Sequence, residues 1–298
     1  MIKRTLFFSN PAYLSLHQNQ LVVKYPDAAT KEKKAIIEDL GFVVLENPQI
    51  TITNQLLAAL VHRNVAVIHC DHRHMPLGMV LSLNGHTEQN ERFRTQLTAS
   101  IPLKKQLWQQ TIKAKIKNQA GLLAERGLPH DNMLYWAKEV TSGDKMYHEA
   151  RAAAYYWENL FYLDDFKRGR EEAPPNNLLN YGYAILRAVC ARALMGSGLL
   201  PALGIHHANK YNAYCLADDI MEPYRPFVDS LVCHLVDTED DYSILTTHLK
   251  KELLNIPALD VTLEEKQSPL MVAMSRTTNS LYECMAGESR KILYPDYV

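Results

Sequence analysis

Apolar positions follow a short β-type period from Thr5 to about Leu83 and a helical period after it. Thr5-Leu-Phe-Phe8, Phe42-Val-Val-Leu45 and Val65-Ala-Val-Ile-His69 read as strands rich in β-branched and aromatic residues, and Ala35-Ile-Ile37 continues the series. Tyr13-Leu-Ser-Leu16 and Leu21-Val-Val-Lys-Tyr25 flank a polar quartet, His17 to Gln20, which reads as a hairpin. Thr53 is placed to cap a helix over 54–63, where Leu56, Leu57, Leu60 and Val61 recur at helical spacing.

Asn84-Gly-His-Thr-Glu-Gln-Asn-Glu91 is polar, carries a turn dipeptide and marks a boundary. Beyond it Phe93, Leu97, Leu107, Ile112, Ile116 and Leu123 predict long amphipathic helices, broken near Gly127-Leu-Pro129, Glu172 to Asn177, Gly196-Ser-Gly198 and Asn255-Ile-Pro257. The expected fold class is α+β: a small N-terminal β-rich domain over 1–86, followed by a larger all-α C-terminal domain over 92–298 that carries the chemistry.

Composition narrows the class. With 47% hydrophobic and 22% charged residues the chain is ordinary for a soluble globular protein. The five cysteines are odd in number, scattered and free of any CxxC pair, which argues against a disulfide framework or zinc ribbon and fits a reducing cytoplasm. The richest apolar stretch, Tyr183 to Ile205, contains Arg187 and Arg192 and is broken by Gly196, Gly198 and Pro201, so it reads as buried helix and no membrane is expected. Formal net charge is −1, against a protein that coats nucleic acid over its whole surface. Yet Arg92, Arg94, Lys104, Lys105, Lys113, Lys115, Lys117 and Arg126 are opposed locally only by Glu125. That run is either a solvated basic helix face or a surface that holds phosphates.

The densest chemistry lies between Gly204 and Arg225. If 218–222 is helical, Asp219 and Glu222 share a face and Asp218 points elsewhere, while Pro223 closes or kinks the turn and leaves Glu222 at a helix end. A histidine and acids in that space are how a chain builds a divalent-metal site. Three other readings compete. Cys70, His72 and His74 would share a strand face and suit zinc, although Pro76 favours a polar surface turn. Asp218-Asp-Ile-Met-Glu222 matches the DDxxE string of helical isoprenoid synthases that hold magnesium diphosphate, but Asp237-Thr-Glu-Asp-Asp241 is a poor second motif. Glu149 borders an alanine-rich helix surface, where a lone glutamate is usually solvated.

Taken together, Gly204-Ile-His-His207, Asp219-Ile-Met-Glu222-Pro-Tyr-Arg225, Glu149-Ala-Arg and Asn180-Tyr-Gly-Tyr183 resemble the CRISPR-associated integrase, the spacer-acquisition endonuclease, most of all its type II version. The resemblance runs over nearly the whole chain, including Asn64-Val-Ala-Val-Ile-His-Cys-Asp71. It implies Glu149, His207 and Glu222 as ligands of Mg2+ or Mn2+, Asp219 as an added acid beside or behind the metal, and His206 as packing or polar support. Ala150 stands where the family often has glycine, and Tyr224 where it often has phenylalanine; neither removes a ligand.

The activity implied is metal-dependent insertion of captured DNA into a CRISPR repeat by transesterification, with nuclease activity as a related outcome and antiviral defence as the setting. Implied partners are double-stranded DNA (protospacer fragments and the repeat), a second copy in a homodimer joined through the β-rich domain, a small second adaptation protein that bridges two dimers, and other type II CRISPR proteins. Arg225, Lys210, Lys113 and Lys117 are the candidate DNA contacts. The rival functions are a non-catalytic DNA-binding scaffold, a magnesium-dependent diphosphate enzyme and a hydrolase of small phosphorylated substrates.

Overall fold

In the computed structural model, which describes residues 3–27, 30–163 and 166–298, the N-terminal β pattern resolves into two four-stranded sheets. The strands are β1 (Arg4–Phe8), β2 (Ala12–His17), β3 (Gln20–Lys24), β4 (Lys33–Ile36), β5 (Leu40–Leu45), β6 (Ile50–Ile52), β7 (Ala66–Cys70) and β8 (Pro76–Val80), with helix α1 (Asn54–His62) between β6 and β7. One sheet runs β1-β5-β7-β8, with β1 and β7 parallel to β5 and β8 antiparallel to β7; the other runs β4-β3-β2-β6. Gln18 and Asn19 both adopt positive φ, the backbone of a two-residue turn whose twist suits a hairpin, and so set the register of β2 on β3.

Thr53 caps α1 by accepting from the Leu56 amide at 3.3 Å, and Leu56 and Leu60, one turn apart, are fully buried where α1 meets β2 and β7. These elements form one unit, Met1–Gly85, around a core that includes Leu14, Leu21, Leu40 and Val43. Met1 and Ile2, with which the expected first domain begins, lie outside the described residues. The strand pattern did not mark β8, whose Pro76 is tolerated because it opens an edge strand. Strand β7 stops at Cys70, and Asp71 Oδ1 accepts from the amides of Arg73 and Met75 at 2.8 and 2.9 Å. Cys70, His72 and His74 therefore share no strand face, and the surface turn is what forms.

The second unit, His86–Val298, is helical: α2 (Gln89–Thr98), α3 (Ile101–Glu125), α4 (Asp131–Glu139), α5 (His148–Leu160), α6 (Asn176–Gly196), α7 (Cys215–Met221), α8 (Arg225–Thr238), α9 (Thr247–Leu253) and, later, α10 (Leu270–Ala286). Helix α6 is its axis, with Leu179, Tyr181, Leu186, Cys190 and Leu194 all fully buried, and α7, α8, α9 and α10 pack on it. The helical pattern missed one feature, a hairpin of β9 (Asp260–Leu263) and β10 (Lys266–Pro269). Its turn residues, Glu264 and Glu265, both take positive φ without the glycine or asparagine that normally signals it. Among the described residues no helix is long and apolar enough to cross a membrane.

Helices α6 and α8 approach through Gly182: a Cβ there would fall 2.6 Å from Val228 Cγ1 and 3.4 Å from Ile256 Cδ1. Alanine gains about 1 kcal/mol in helix propensity, but Val228 is fully buried and, being β-branched, stiff at χ1. Gly182→Ala is expected to cost a net 1–2 kcal/mol, roughly, because overpacking outweighs propensity. A urea titration reads the sign, and a variant as stable as the parent would show that the helices can part.

Candidate active site and metal centre

Helix α3 turns a lysine into its buried face. Leu107, Trp108, Thr111, Ile112, Lys115, Asn118, Gln119 and Leu122 form one stripe at helical spacing, and Lys115 is its charged member. Its Nζ lies 2.7 Å from Glu149 Oε1 and 2.8 Å from Glu222 Oε2. Two glutamates far apart in sequence thus converge on one cation. At an effective dielectric of about 20 each contact carries a Coulomb attraction of roughly 6 kcal/mol, which opposes a desolvation cost of several kcal/mol per ion. Burial pushes the Lys115 ammonium down, but Glu222 and Glu149 outweigh it and hold its pKa above the usual range.

Each glutamate is fixed from behind. Glu149 opens α5, where Asp144 accepts from the His148 amide at 3.0 Å and the Glu149 amide at 2.9 Å, satisfying donors that a helix start leaves open. Glu222 sits at the joint between α7 and α8, where Pro223 supplies no N–H and the chain makes a short 3-10 turn. Asn118 of α3 donates to the Pro223 carbonyl at 2.7 Å and pins that joint. Arg225 holds Glu222 Oε1 at 2.9 Å. Burial would raise the Glu222 pKa, yet Arg225 and Lys115 prevail and hold it below the ordinary carboxylate range.

The imidazole arrives on the loop after α6. Asp219, fully buried, accepts the Ile205 and His206 amides at Oδ2 (2.8 and 2.9 Å) and the His207 amide at Oδ1 (3.3 Å), and its Oδ1 lies 2.5 Å from His207 Nδ1. A carboxylate oxygen accepts, so in the neutral ring Nδ1 carries the proton and Nε2 keeps its lone pair. The hydrogen bond to Asp219 raises the His207 pKa, with Glu222 and Glu149 adding their charge. Trp108 stacks on His206 at 4.2 Å with the rings parallel, and meets His207 edge-on at 5.6 Å. Burial and the neighbouring His207 lower the His206 pKa. Gly204 is required at its spacing, since a Cβ would collide with the His207 carbonyl and lie 2.8 Å from Asp219 Oδ2.

The residues singled out from the sequence therefore separate. Glu149 and Glu222 are joined through Lys115, and His207 stands within their field. Asp219 spends its oxygens on the 205–207 loop and orients His207 from behind. Asp218 faces Arg187 Nε at 2.6 Å and Asn212 Nδ2 at 2.7 Å, so the two acids of DDxxE do not line one surface. Arg225 is turned to Glu222, while Lys117 and Lys210 are exposed and Lys113 is half-buried. Lys115 is not part of the solvated basic face its neighbours suggest. Trp108, Asp144 and Asn118 carry no individual sequence signal; that of Lys115, its register with the apolar stripe of α3, is masked by the basic residues around it.

Among the described residues, no three His, Cys, Asp or Glu side chains are drawn together closely enough to enclose an ion. The donor set nevertheless fits a hard divalent cation: two carboxylates meet at one cationic point, with an imidazole oriented by its own carboxylate. Glu222 Oε2 is buried and lies beside Lys115 Nζ, but accepts no well-aligned hydrogen bond. A metal ion, which imposes no donor direction, would fit that oxygen.

A second layer continues from Arg225, whose guanidinium lies 4.7 Å from the Tyr183 ring centroid. The Tyr183 hydroxyl donates to Asp229 Oδ1 at 2.5 Å and that of Tyr156 to Oδ2 at 2.7 Å. Burial pushes the Asp229 carboxyl up to about 6 despite both bonds.

Fold and site together define a two-unit α+β protein with an acid-and-imidazole centre in its helical part. The chain belongs to the CRISPR associated protein Cas1 family, whose pattern matches residues 6–247. It is 35% identical over 295 residues to the CRISPR-associated endonuclease Cas1 of Neisseria meningitidis serogroup C, covering 98% of this chain and 95% of that one. Among solved structures it is similar to a casposase bound to integration product (TM-score 0.77, 20% identity, 100% of this chain and 93% of that one). It is also similar to a Cas6-RT-Cas1–Cas2 complex (TM-score 0.74, 21% identity, 98% of this chain and 36% of that one).

Asp229 generates a signed pH effect. Its folded pKa of about 6 exceeds the ordinary 3.8, so its contribution to stability is full below pH 3.8 and is lost as pH rises through about 6. The loss is about 3 kcal/mol at most. Asp229→Asn is expected to flatten the stability profile between pH 4 and 7 relative to the parent, read by urea unfolding at stepped pH. Parallel profiles would mean that Asp229 ionises as it does in water.

Proposed function

We propose that this protein is a metal-dependent DNA integrase of CRISPR adaptation, which inserts captured DNA fragments into a repeat and cleaves DNA as a related outcome. The observation that carries this reading is the convergence of Glu149 and Glu222, from separate helices, on one cationic point beside an imidazole anchored by a buried aspartate. Glu149 Oε1, Glu222 Oε2 and His207 Nε2 would hold Mg2+ or Mn2+. Bound there, the ion would polarise the scissile phosphate, lower the pKa of the attacking hydroxyl and neutralise charge on the leaving oxygen.

The rest is positioning by the chain. Arg225 takes Glu222 Oε1 and so presents Oε2; Asp219 presents His207 Nε2; Asp144 fixes the start of α5. In strand transfer a DNA 3′-hydroxyl forms a new P–O bond as the bond from phosphorus to the repeat strand's 3′-oxygen breaks, so phosphodiester bonds are conserved in number. With water as nucleophile the same displacement is cleavage. Exposed Lys117 and Lys210 are suited to backbone contacts that position DNA without reading it.

A homodimer through the N-terminal unit is part of this reading; that unit exposes the large apolar side chains Tyr13, Ile36, Leu77 and Leu83. A bridging second adaptation protein is supported by the fold's likeness to the Cas1–Cas2 assembly, and DNA as substrate by its likeness to the casposase. The relation to the Neisseria protein supports a type II version.

The test mixes the protein and its small adaptation partner with a supercoiled repeat plasmid and short duplexes, and reads covalent joining that EDTA prevents. Glu222→Ala and His207→Ala are each expected to reduce joining about a hundredfold or more while DNA affinity changes only a few-fold. Full joining by either variant would overturn the site. Joining by neither parent nor variant, with DNA still bound, would favour the scaffold reading.

A further inference from the structure

The basic residue at the centre of the site is not accounted for by ligation or by DNA contact. Lys115 is buried on the rigid inner face of a 25-residue helix, hydrogen-bonded to Glu149 at 2.7 Å and in ion contact with Glu222 at 2.8 Å. It occupies the point on which both carboxylates converge. Resting on the metal-centre reading above, we infer that Lys115 is a built-in counter-cation that spaces and neutralises Glu149 and Glu222 and competes with the divalent cation for them.

Two carboxylates this close would repel each other and splay without a cation between them. A side chain fixed in sequence supplies that cation at all times, so the pair stays formed when no ion is bound. Both contacts are open to exchange: Glu222 Oε2 receives no aligned N–H from Lys115, and Glu149 is partly exposed, its side chain at 27%. Arg225 does not share this task. It holds the opposite oxygen of Glu222 and leans on Tyr183, so it remains in place whichever cation Oε2 faces. Lys115 is thus a positioning residue whose charge opposes the entry of a second cation, and the arrival of an anionic phosphodiester relieves that opposition.

Manganese binding to the full chain without DNA tests this, by electron paramagnetic resonance or calorimetry near neutral pH. Lys115→Met is expected to bind Mn2+ about tenfold more tightly than the parent, because the competing charge is gone. Lys115→Arg, which keeps the charge, should stay within about threefold of the parent. In EDTA, Lys115→Met should melt well below the parent, and saturating Mn2+ should restore most of the difference. A purely structural lysine would lower the melt without tightening the metal. If the parent binds Mn2+ and Lys115→Met binds it no more tightly, the inference fails and the metal centre stands; if neither the parent nor Lys115→Met binds it, the metal centre itself fails. Should Lys115→Met not fold in either condition, Lys115→Met/Glu222→Gln, with one charge of each sign removed, should recover the folded melt, and failure to recover would overturn the pairing.

Discussion

An ammonium buried between two carboxylates from different helices is the interaction on which the helical unit turns. Neither Glu222 nor Lys115 could be taken from water alone without a cost of several kcal/mol, and Glu149 adds the second counter-charge from a partly exposed position. The buried charges are affordable only with their partners, which forces α3, the start of α5 and the joint between α7 and α8 into one place. Each helix carries a polar device that serves this convergence: Asp144 caps α5 under Glu149, and Asn118 takes the carbonyl of Pro223. Hydrophobic packing along α6 supplies bulk stability; these contacts decide what the helices bring together.

The histidine is handled by a different physics. Its loop has no helix to fix it, so Asp219 gathers three successive amides and the ring Nδ1 onto one buried carboxylate. Trp108, two turns before Lys115 on α3, stacks on His206 and stands edge-on to His207. Adjacent histidines are thereby given unlike roles. His206 is a stacked ring with a lowered pKa, and His207 is a hydrogen-bonded one with a raised pKa. The same helix that delivers the cation also sets the floor under the imidazole.

Much of this was legible. The change of apolar period near residue 84 separates the β-rich from the helical part, and Asp219 and Glu222, three apart across a helix end that Pro223 makes a joint, were readable from spacing alone. What spacing could not tell is that the two acids differ in burial and partner, because that depends on the 205–207 loop folding back over α7. Lys115 was obscured by its company. Surrounded by Lys113 and Lys117 it looks like one more solvated base, and only its register with Ile112 and Gln119 turns it inward. Strands β8 to β10 escaped for local reasons: a proline at an edge and a turn of two glutamates at positive φ both contradict the usual strand and hairpin signals.

The two glutamates are not equivalent, and the reason lies outside the immediate site. Arg225 fixes Glu222 Oε1 and leans on Tyr183, whose hydroxyl, with that of Tyr156, is held by Asp229. That chain ties α5, α6 and α8 and leaves Glu222 one oxygen whose partner can change. Among the described residues the Glu149 carboxylate has Lys115 but no second clamp like Arg225; its other constraint acts on the backbone, through Asp144. On the proposed reading, an entering cation would meet one carboxylate held at its far oxygen and another constrained only through its backbone and Lys115. The near oxygen of Glu222 lacks an aligned hydrogen bond, a condition that a non-directional ion would fit. The asymmetry follows from where each glutamate stands, one at a helix start open to solvent and the other at a buried joint between helices.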